Sequence, residues 1–229
     1  MNEPLLLAKA LTKSYAMGSR SLEVLRGVDL DVARGDFVAL RGASGAGKST
    51  LLHLIGGLDS PNSGEILFDN RDIAKFSESE LTHFRNRRVG FIFQSYHLLP
   101  ELTALENVCL PARIARVSVA VAESRARALL EQVGLKERIE HKPYELSGGE
   151  QQRVAIARSL IGSPEMILAD EPTGNLDSRT GLEIIELLRN LTVQTKAALI
   201  IATHDVKVAA AAQRVVELAD GRVATAGIG

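Results

Sequence analysis

The stretch Gly42-Ala43-Ser44-Gly45-Ala46-Gly47-Lys48-Ser49-Thr50 holds the residue types a polyphosphate needs, at the spacing G-x-x-x-x-G-K-[ST]. Gly42, Gly45 and Gly47 admit backbone turns that a side chain would block, so successive N–H groups can face phosphate oxygens. Lys48 supplies a mobile cation for β- and γ-phosphates, and Ser49 a hydroxyl for Mg²⁺. A second chemical pair stands far along the chain, where Asp170-Glu171 ends the apolar run Met166-Ile167-Leu168-Ala169. In a phosphoryl-transfer site the first carboxylate serves the metal and the second polarises an attacking water. A third stretch, Leu146-Ser147-Gly148-Gly149-Glu150, opens a helix. Ser147 is a good N-cap, and the two glycines leave N–H groups bare for an anion.

These groups need elements to hold them. Phe37-Val38-Ala39-Leu40 leads into the glycine-rich loop as a strand, and Leu51-Leu52-His53-Leu54-Ile55 leads out as a helix whose positive end faces the loop. Ahead of them, Leu5 to Ala8 reads as a strand, and Val24 to Val32 ends in the alternation of a half-buried antiparallel strand. Gly56 to Gly64 is dense in breakers and reads as a loop; Glu65 to Asp69 follows as a short strand. Ser77 and Glu80 form a capping box for a helix to about Arg88, and Val89 to Phe93 is a buried strand with Gln94 at its end. From 95 to about 146 the pattern is helical only, over Thr103–Ala115 and Val119–Val133, with Gly134 as a stop. Thereafter come a helix from Gly148 to Ile161, the strand at 166–169, a helix from Arg179 to Leu191, a strand from Ala197 to Ala202 ending near His204, and a hairpin about Asp220-Gly221. Strands alternating with helices imply an α/β fold, with a mainly parallel sheet covered on both faces. The C-terminal ends of such strands gather at one edge, which allows Asp170 to approach Ser49.

Bulk properties narrow the field. The 229 residues suit one large domain or a domain with an insertion, and 45% hydrophobic content supplies a full core. A net charge of −1 leaves no electrostatic footprint for nucleic acid or an anionic membrane. Cys109 is the lone cysteine, so no internal disulfide can form, which fits a reducing, cytosolic compartment. Met1-Asn2-Glu3-Pro4 does not open a signal peptide, and no apolar run is long enough to span a membrane. No Asn-Lys-x-Asp motif of a GTPase is present.

The string Ser147-Gly148-Gly149-Glu150-Gln151-Gln152-Arg153-Val154-Ala155-Ile156-Ala157-Arg158 resembles the signature motif of ATP-binding cassette (ABC) ATPases, as does Leu168-Ala169-Asp170-Glu171-Pro172-Thr173-Gly174-Asn175-Leu176-Asp177. The resemblance covers essentially all of 1–229. It implies a P-loop NTPase core, formed by 1–94 and 147–229, with an N-terminal antiparallel β subdomain and an inserted α-helical subdomain at 95–146. It implies roles as well. Tyr15 would stack on adenine, Gly42 to Thr50 would bind the phosphates, and Ser49, Gln94 and Asp170 would serve Mg²⁺. Glu171 would be the catalytic carboxylate, with Lys48, Gln94 and the switch residue His204 beside it. Ser147, Gly148 and Gly149 of one copy would close on the ATP held by another, and Asp177 would lie in the loop that crosses between the two sites. ATP then acts as glue for a head-to-tail homodimer.

Two further stretches resemble the lipoprotein-releasing and macrolide-exporter group within that family: Leu51 to Asp59, and His97-Leu98-Leu99-Pro100-Glu101-Leu102-Thr103-Ala104-Leu105-Glu106-Asn107-Val108. This resemblance implies a motor subunit on the cytoplasmic face of a bacterial inner membrane, peripheral through integral permease subunits. The helical segment with the stretch after Gln94 would receive the permease. The alternatives are a macrolide or peptide efflux ATPase, a cell-division cassette, or a soluble cassette acting on DNA or ribosomes. The last usually carries two cassettes or a long coiled coil, which this chain lacks.

Overall fold

The computed structural model describes residues 3–18 and 20–224. In chain order the elements are strands β1 (Leu6–Met17), β2 (Arg20–Val32) and β3 (Phe37–Arg41), helix α1 (Lys48–Ile55), strands β4 (Ser63–Phe68) and β5 (Arg71–Asp72), helix α2 (Glu78–Arg87) and strand β6 (Val89–Phe93). Helices α3 (Ala104–Ile114), α4 (Val119–Gln132) and α5 (Gly148–Leu160) follow, then β7 (Met166–Asp170), α6 (Ser178–Thr195), β8 (Ala198–Thr203), α7 (Val206–Ala210), β9 (Arg214–Ala219) and β10 (Arg222–Val223). The chain separates into two compact units. One takes in the described residues up to Arg85 and from Ala198 onward; the other is Asn86–Ala197.

The first unit has two sets of strands. An antiparallel sheet runs in the order β2-β1-β4-β5. Its inward side chains, among them Leu6, Leu11, Leu25, Val28, Ile66 and Phe68, are buried. Strand β3 lies between β8 and β9 and is parallel to both, while β9 and β10 form the antiparallel hairpin. Strand β3 is buried along Phe37–Leu40 and β8 along its whole length, which is why both read as continuous apolar runs rather than alternation. Helix α1 touches β1, β2 and β8. It buries Leu51, Leu52, Leu54 and Ile55, each contributing about 1.5–3 kcal/mol of hydrophobic stabilisation.

In the second unit β6 and β7 pair in parallel, with Phe93 opposite Asp170. Helix α5 comes so close to β6 that a Cβ on Gly90 would lie 2.5 Å from the Ser159 carbonyl. No strand lies between Gln94 and Glu165. Helix α3 continues through Pro111, where the ring removes one helical donor. Its start is fixed strongly in compensation. Thr103 and Glu106 form a capping box, and buried Asn107 hydrogen-bonds to the Leu99 N–H and to the carbonyls of Leu99, Leu102 and Thr103. Among the described residues no helix is long and apolar enough to cross a membrane.

Several boundaries differ from the sequence expectation. The first strand does not stop at Ala8 but runs to Met17, because Ala10 takes φ 46° in a bulge secured by its N–H to Asp29 Oδ1, 2.8 Å. Strand β4 begins at Ser63, inside the breaker-rich stretch. Gly64 lies so near β1 that a Cβ would meet the Lys9 carbonyl at 2.5 Å. Helix α6 extends four residues past Leu191, to a left-handed Lys196.

Candidate functional site

The phosphate-loop candidates lie in the first unit. Gly47 is the N-cap of α1, at φ 100°, and gives no side-chain cap; no acidic residue stands in the first turn. The start of this helix therefore presents the positive end of its dipole, with no side-chain cap at Gly47 and no carboxylate in its own first turn to offset it. The loop tip, Ala43 to Gly45, is exposed, as is Ser49, while Ala46 and Gly47 are buried. Lys48 is only 6% exposed. Its Nζ donates to the carbonyls of Gly42 (2.9 Å) and Ala43 (3.0 Å), so the cation already lies across the loop. Gly42 has a different reason from the one its sequence position suggests. Its φ is not positive; instead a Cβ there would lie 2.3 Å from the Leu218 carbonyl on β9. The β3–β8 register pairs Arg41 with Thr203, so Gly42 and exposed His204 leave neighbouring strands at the same edge.

Tyr15 belongs to the same unit and is 37% exposed. Its hydroxyl donates to Asp59 Oδ2 (2.9 Å), and Lys13 bridges Asp59 (2.7 Å) with its ammonium over the Tyr15 ring, 5.0 Å from the centroid. The Thr50 side chain also meets the phenol. Burial, then the Asp59 carboxylate, push the Tyr15 phenol above its ordinary value. Burial opposes charge on Asp59, but the hydrogen bonds from Lys13, Ser60 and Tyr15 outweigh it and hold the carboxyl below its usual range. The ring is thus oriented by a charge network tied to the end of the phosphate loop.

The other candidates lie in the second unit. Since Phe93 pairs with Asp170, Gln94 and Glu171 follow directly at the ends of two adjacent strands. Gln94 Nε2 donates to Asn175 Oδ1 (3.3 Å), and Asn175 Nδ2 returns a bond to the Gln94 carbonyl (2.9 Å). Gly174 lets the two approach, since a Cβ there would meet the Gln94 amide at 2.7 Å. Asp170 and Glu171 are both half-buried, and Glu171 takes φ 44°. A non-glycine residue in that region costs about 1–3 kcal/mol and persists only where its surroundings hold it. Here the Gly174 N–H donates to the Glu171 carbonyl, 3.0 Å. Asp177 caps α6 through the N–H groups of Arg179 and Thr180. The Thr180 and Arg179 contacts hold its carboxyl low.

Ser147 caps α5. Its hydroxyl accepts from the Glu150 N–H, and Glu150 accepts from both the N–H and the hydroxyl of Ser147, 2.8 Å each. These bonds, opposed by burial and helped by Arg138, hold the Glu150 carboxyl below its ordinary value. Gly148 and Gly149 are half-buried, and a Cβ on either would displace a neighbouring side chain, meeting Tyr96 Oη at 2.9 Å and Thr180 Cγ2 at 2.8 Å.

The motif reading left two side chains of α5 without a role. Gln152 is fully buried, and its Nε2 donates to the Pro172 carbonyl (2.6 Å), fixing the residue after Glu171 to the helix. Arg158 reaches the carbonyls of Tyr96 and His97. Only the helical pattern was available in sequence; a polar residue on the inward face of that pattern was the one signal for Gln152.

Comparison with known proteins agrees with these motifs. Residues 25–174 match the family model described as ABC transporter. The chain is 56% identical over 213 residues to the lipoprotein-releasing system ATP-binding protein LolD of Syntrophotalea carbinolica, covering 93% of this chain and 94% of that one. It is 50% identical to LolD of Legionella pneumophila over 221 residues, 96% and 97% of the two chains. The dimeric post-hydrolysis structure of the ATP-binding cassette MJ0796, bound to ADP and Pi, superposes with a TM-score of 0.88 at 42% identity, covering 96% of this chain and 97% of that one. The α/β fold expected from the sequence is the fold of that structure, and this chain belongs to the ABC transporter family as one of its ATP-binding, ATP-hydrolysing cassettes.

Proposed function

We propose that this chain is the motor subunit of a lipoprotein-releasing transporter. The observation that carries the reading is its 56% identity to a LolD protein over more than nine-tenths of both chains. In the proposed site the amides of Gly42 to Thr50 and the first turn of α1 bind the phosphates, and Lys48 leaves the Gly42 and Ala43 carbonyls for the β- and γ-oxygens. Tyr15 stacks on the adenine. Glu171 accepts a hydrogen bond from the water that attacks the γ-phosphorus as the bond to the ADP oxygen breaks. Gln94 orients that water, and His204 donates to the γ-phosphate.

The donor set also fits Mg²⁺. Among the described residues no group of three or more His, Cys, Asp or Glu could hold a metal by itself. Ser49, Asp170 and Gln94 offer hard oxygens of the kind that take Mg²⁺ jointly with substrate phosphates. When bound, the ion neutralises charge on the β- and γ-oxygens.

Ser147 offers a helix cap whose own N–H is taken by Glu150, and Gly148 and Gly149 a first turn without long side chains, where N–H groups can face an anion. In the proposed assembly they close on the γ-phosphate held by a second copy, with Asp177 in the loop between the two sites. Closure on ATP and reopening after hydrolysis would drive integral permease subunits from the cytoplasmic face of the inner membrane.

Glu171→Gln tests the assignment. Purified from its own membranes with Mg·ATP, it is expected to bring down a permease with a large periplasmic domain, together with lipoproteins. A drug-efflux or cell-division permease in its place would overturn lipoprotein release and leave the ATPase standing.

A further inference from the structure

Immediately after Gln94 the chain makes a tight turn without glycine. The Tyr96 N–H donates to the Phe93 carbonyl (3.2 Å), and the His97 N–H to the Ser95 carbonyl (2.6 Å). Tyr96 and His97 are both left-handed, at φ 59° and 49°. An extended pair of residues points its carbonyls in opposite directions; a left-handed pair points them the same way. Arg158 uses that parallel arrangement. Its Nη1 donates to the His97 carbonyl (2.5 Å) and its Nη2 to the Tyr96 carbonyl (2.6 Å). Among the described residues Arg158 pairs with no carboxylate. Burial lowers its pKa, the sign expected for a cation withdrawn from water. The other contacts of the turn lead to the same helix and strand. The Tyr96 hydroxyl packs against Gly148, and the His97 ring lies 4.7 Å from that of Phe93.

We propose that Arg158 is a positioning residue for Gln94. Its planar fork fits the two carbonyls only while Tyr96 and His97 stay left-handed, and so ties the turn after Gln94 to α5, whose first turn carries the Ser147–Gly149 segment. Gln94 is then held from both sides, by Asn175 and by the clamped turn. A force applied to the segment after Gln94 reaches the start of α5 through Tyr96 and the rest of the helix through Arg158. The inference rests on the reading of Gln94 and Ser147–Gly149 as parts of the nucleotide site.

The test compares Arg158→Gln and Arg158→Lys in the full chain. Lysine keeps the charge and much of the stem but lacks the fork. Both variants are expected to lower kcat for ATP at least about tenfold, because a small misplacement of an orienting group is costly. KM is expected to stay within about twofold, because Lys48 and the α1 N-terminus are untouched. Hydrogen exchange at the Tyr96 and His97 amides should rise in both, while α5 keeps its protection. Should Arg158→Gln fail to fold, Arg158→Lys carries the comparison. Wild-type kcat in the lysine variant overturns the proposal, as do unchanged exchange at 96 and 97, or losses of kcat, KM and melting temperature that move together. The exchange readout needs no activity. If wild-type hydrolysis proves independent of Glu171, the proposed site fails while the clamp is still tested.

Discussion

At Gly42 a Cβ would sit 2.3 Å from the Leu218 carbonyl, and at Gly45 it would meet nothing within 4 Å, although φ there is 81°. One spacing motif thus contains glycines kept for different physical reasons. Gly42→Ala forces backbone apart and is expected to destabilise the chain by about 1–3 kcal/mol. Gly45→Ala carries only the left-handed penalty, about 1–2 kcal/mol, and is expected to leave β3 and β9 in place. Hydrogen exchange checks this: the amides of β3 and β9 should lose protection in Gly42→Ala, where the added Cβ meets the Leu218 carbonyl, and keep it in Gly45→Ala. Equal protection of those strands in the two variants contradicts the packing account. The motif named these positions but could not separate their reasons, since the Leu218 carbonyl lies 176 residues away in sequence. Tyr15 is similar. The family resemblance implied a stacking ring, but its orientation by Asp59 and Lys13 depends on tertiary contacts that no local pattern records.

Helix starts carry the next set of expectations. Ser77 and Ser147 each form a reciprocal cap with the glutamate three residues on, Glu80 and Glu150. Ser77→Ala and Ser147→Ala should each lower stability by about 1 kcal/mol. Only Ser147→Ala should also slow ATP hydrolysis, because only that cap opens the proposed nucleotide-facing helix. Parallel melting and phosphate-release assays separate the two effects; equal activity in both variants would remove Ser147 from the site. Glu80, Glu150 and Asp177 all have carboxyls held below their ordinary values of 4.5, 4.5 and 3.8, chiefly by hydrogen bonds at these caps. Near those values the folded chain binds fewer protons than the unfolded chain, so stability rises with pH. The cap contribution is expected to be full above about pH 5 and to be lost as pH falls through the depressed values. A urea midpoint that stays flat down to pH 3 contradicts it. The capping box at 77, the N-cap at Ser147, the strand before the phosphate loop and the helix after it were legible because each rests on residues within a few positions; that Glu150 closes the cap at Ser147 into a box is added by the structure. The continuation of β1 past Ala8 was not, since a bulge at Ala10 breaks the alternation and is secured by Asp29, from the neighbouring strand. The left-handed turn at Tyr96 and His97 was hidden for the same kind of reason: no glycine marks it, and Arg158 holds it from another element.

For the molecule as a whole, the candidate residues are distributed over both compact units. Tyr15, the 42–50 loop and His204 belong to the first; Gln94, Ser147–Gly149, Asp170, Glu171 and Asp177 belong to the second. In the proposed assembly a nucleotide shared by two copies would couple nucleotide state to assembly, since a ligand that binds the closed pair better than the separate chains favours the pair. The measurement that tests this most directly is the solution mass of Glu171→Gln by light scattering, with Mg·ATP and with Mg·ADP at equal protein concentration. Two copies per particle with ATP and one with ADP is the expected result. A single copy in both, with ATP binding confirmed on the same sample, would contradict the account.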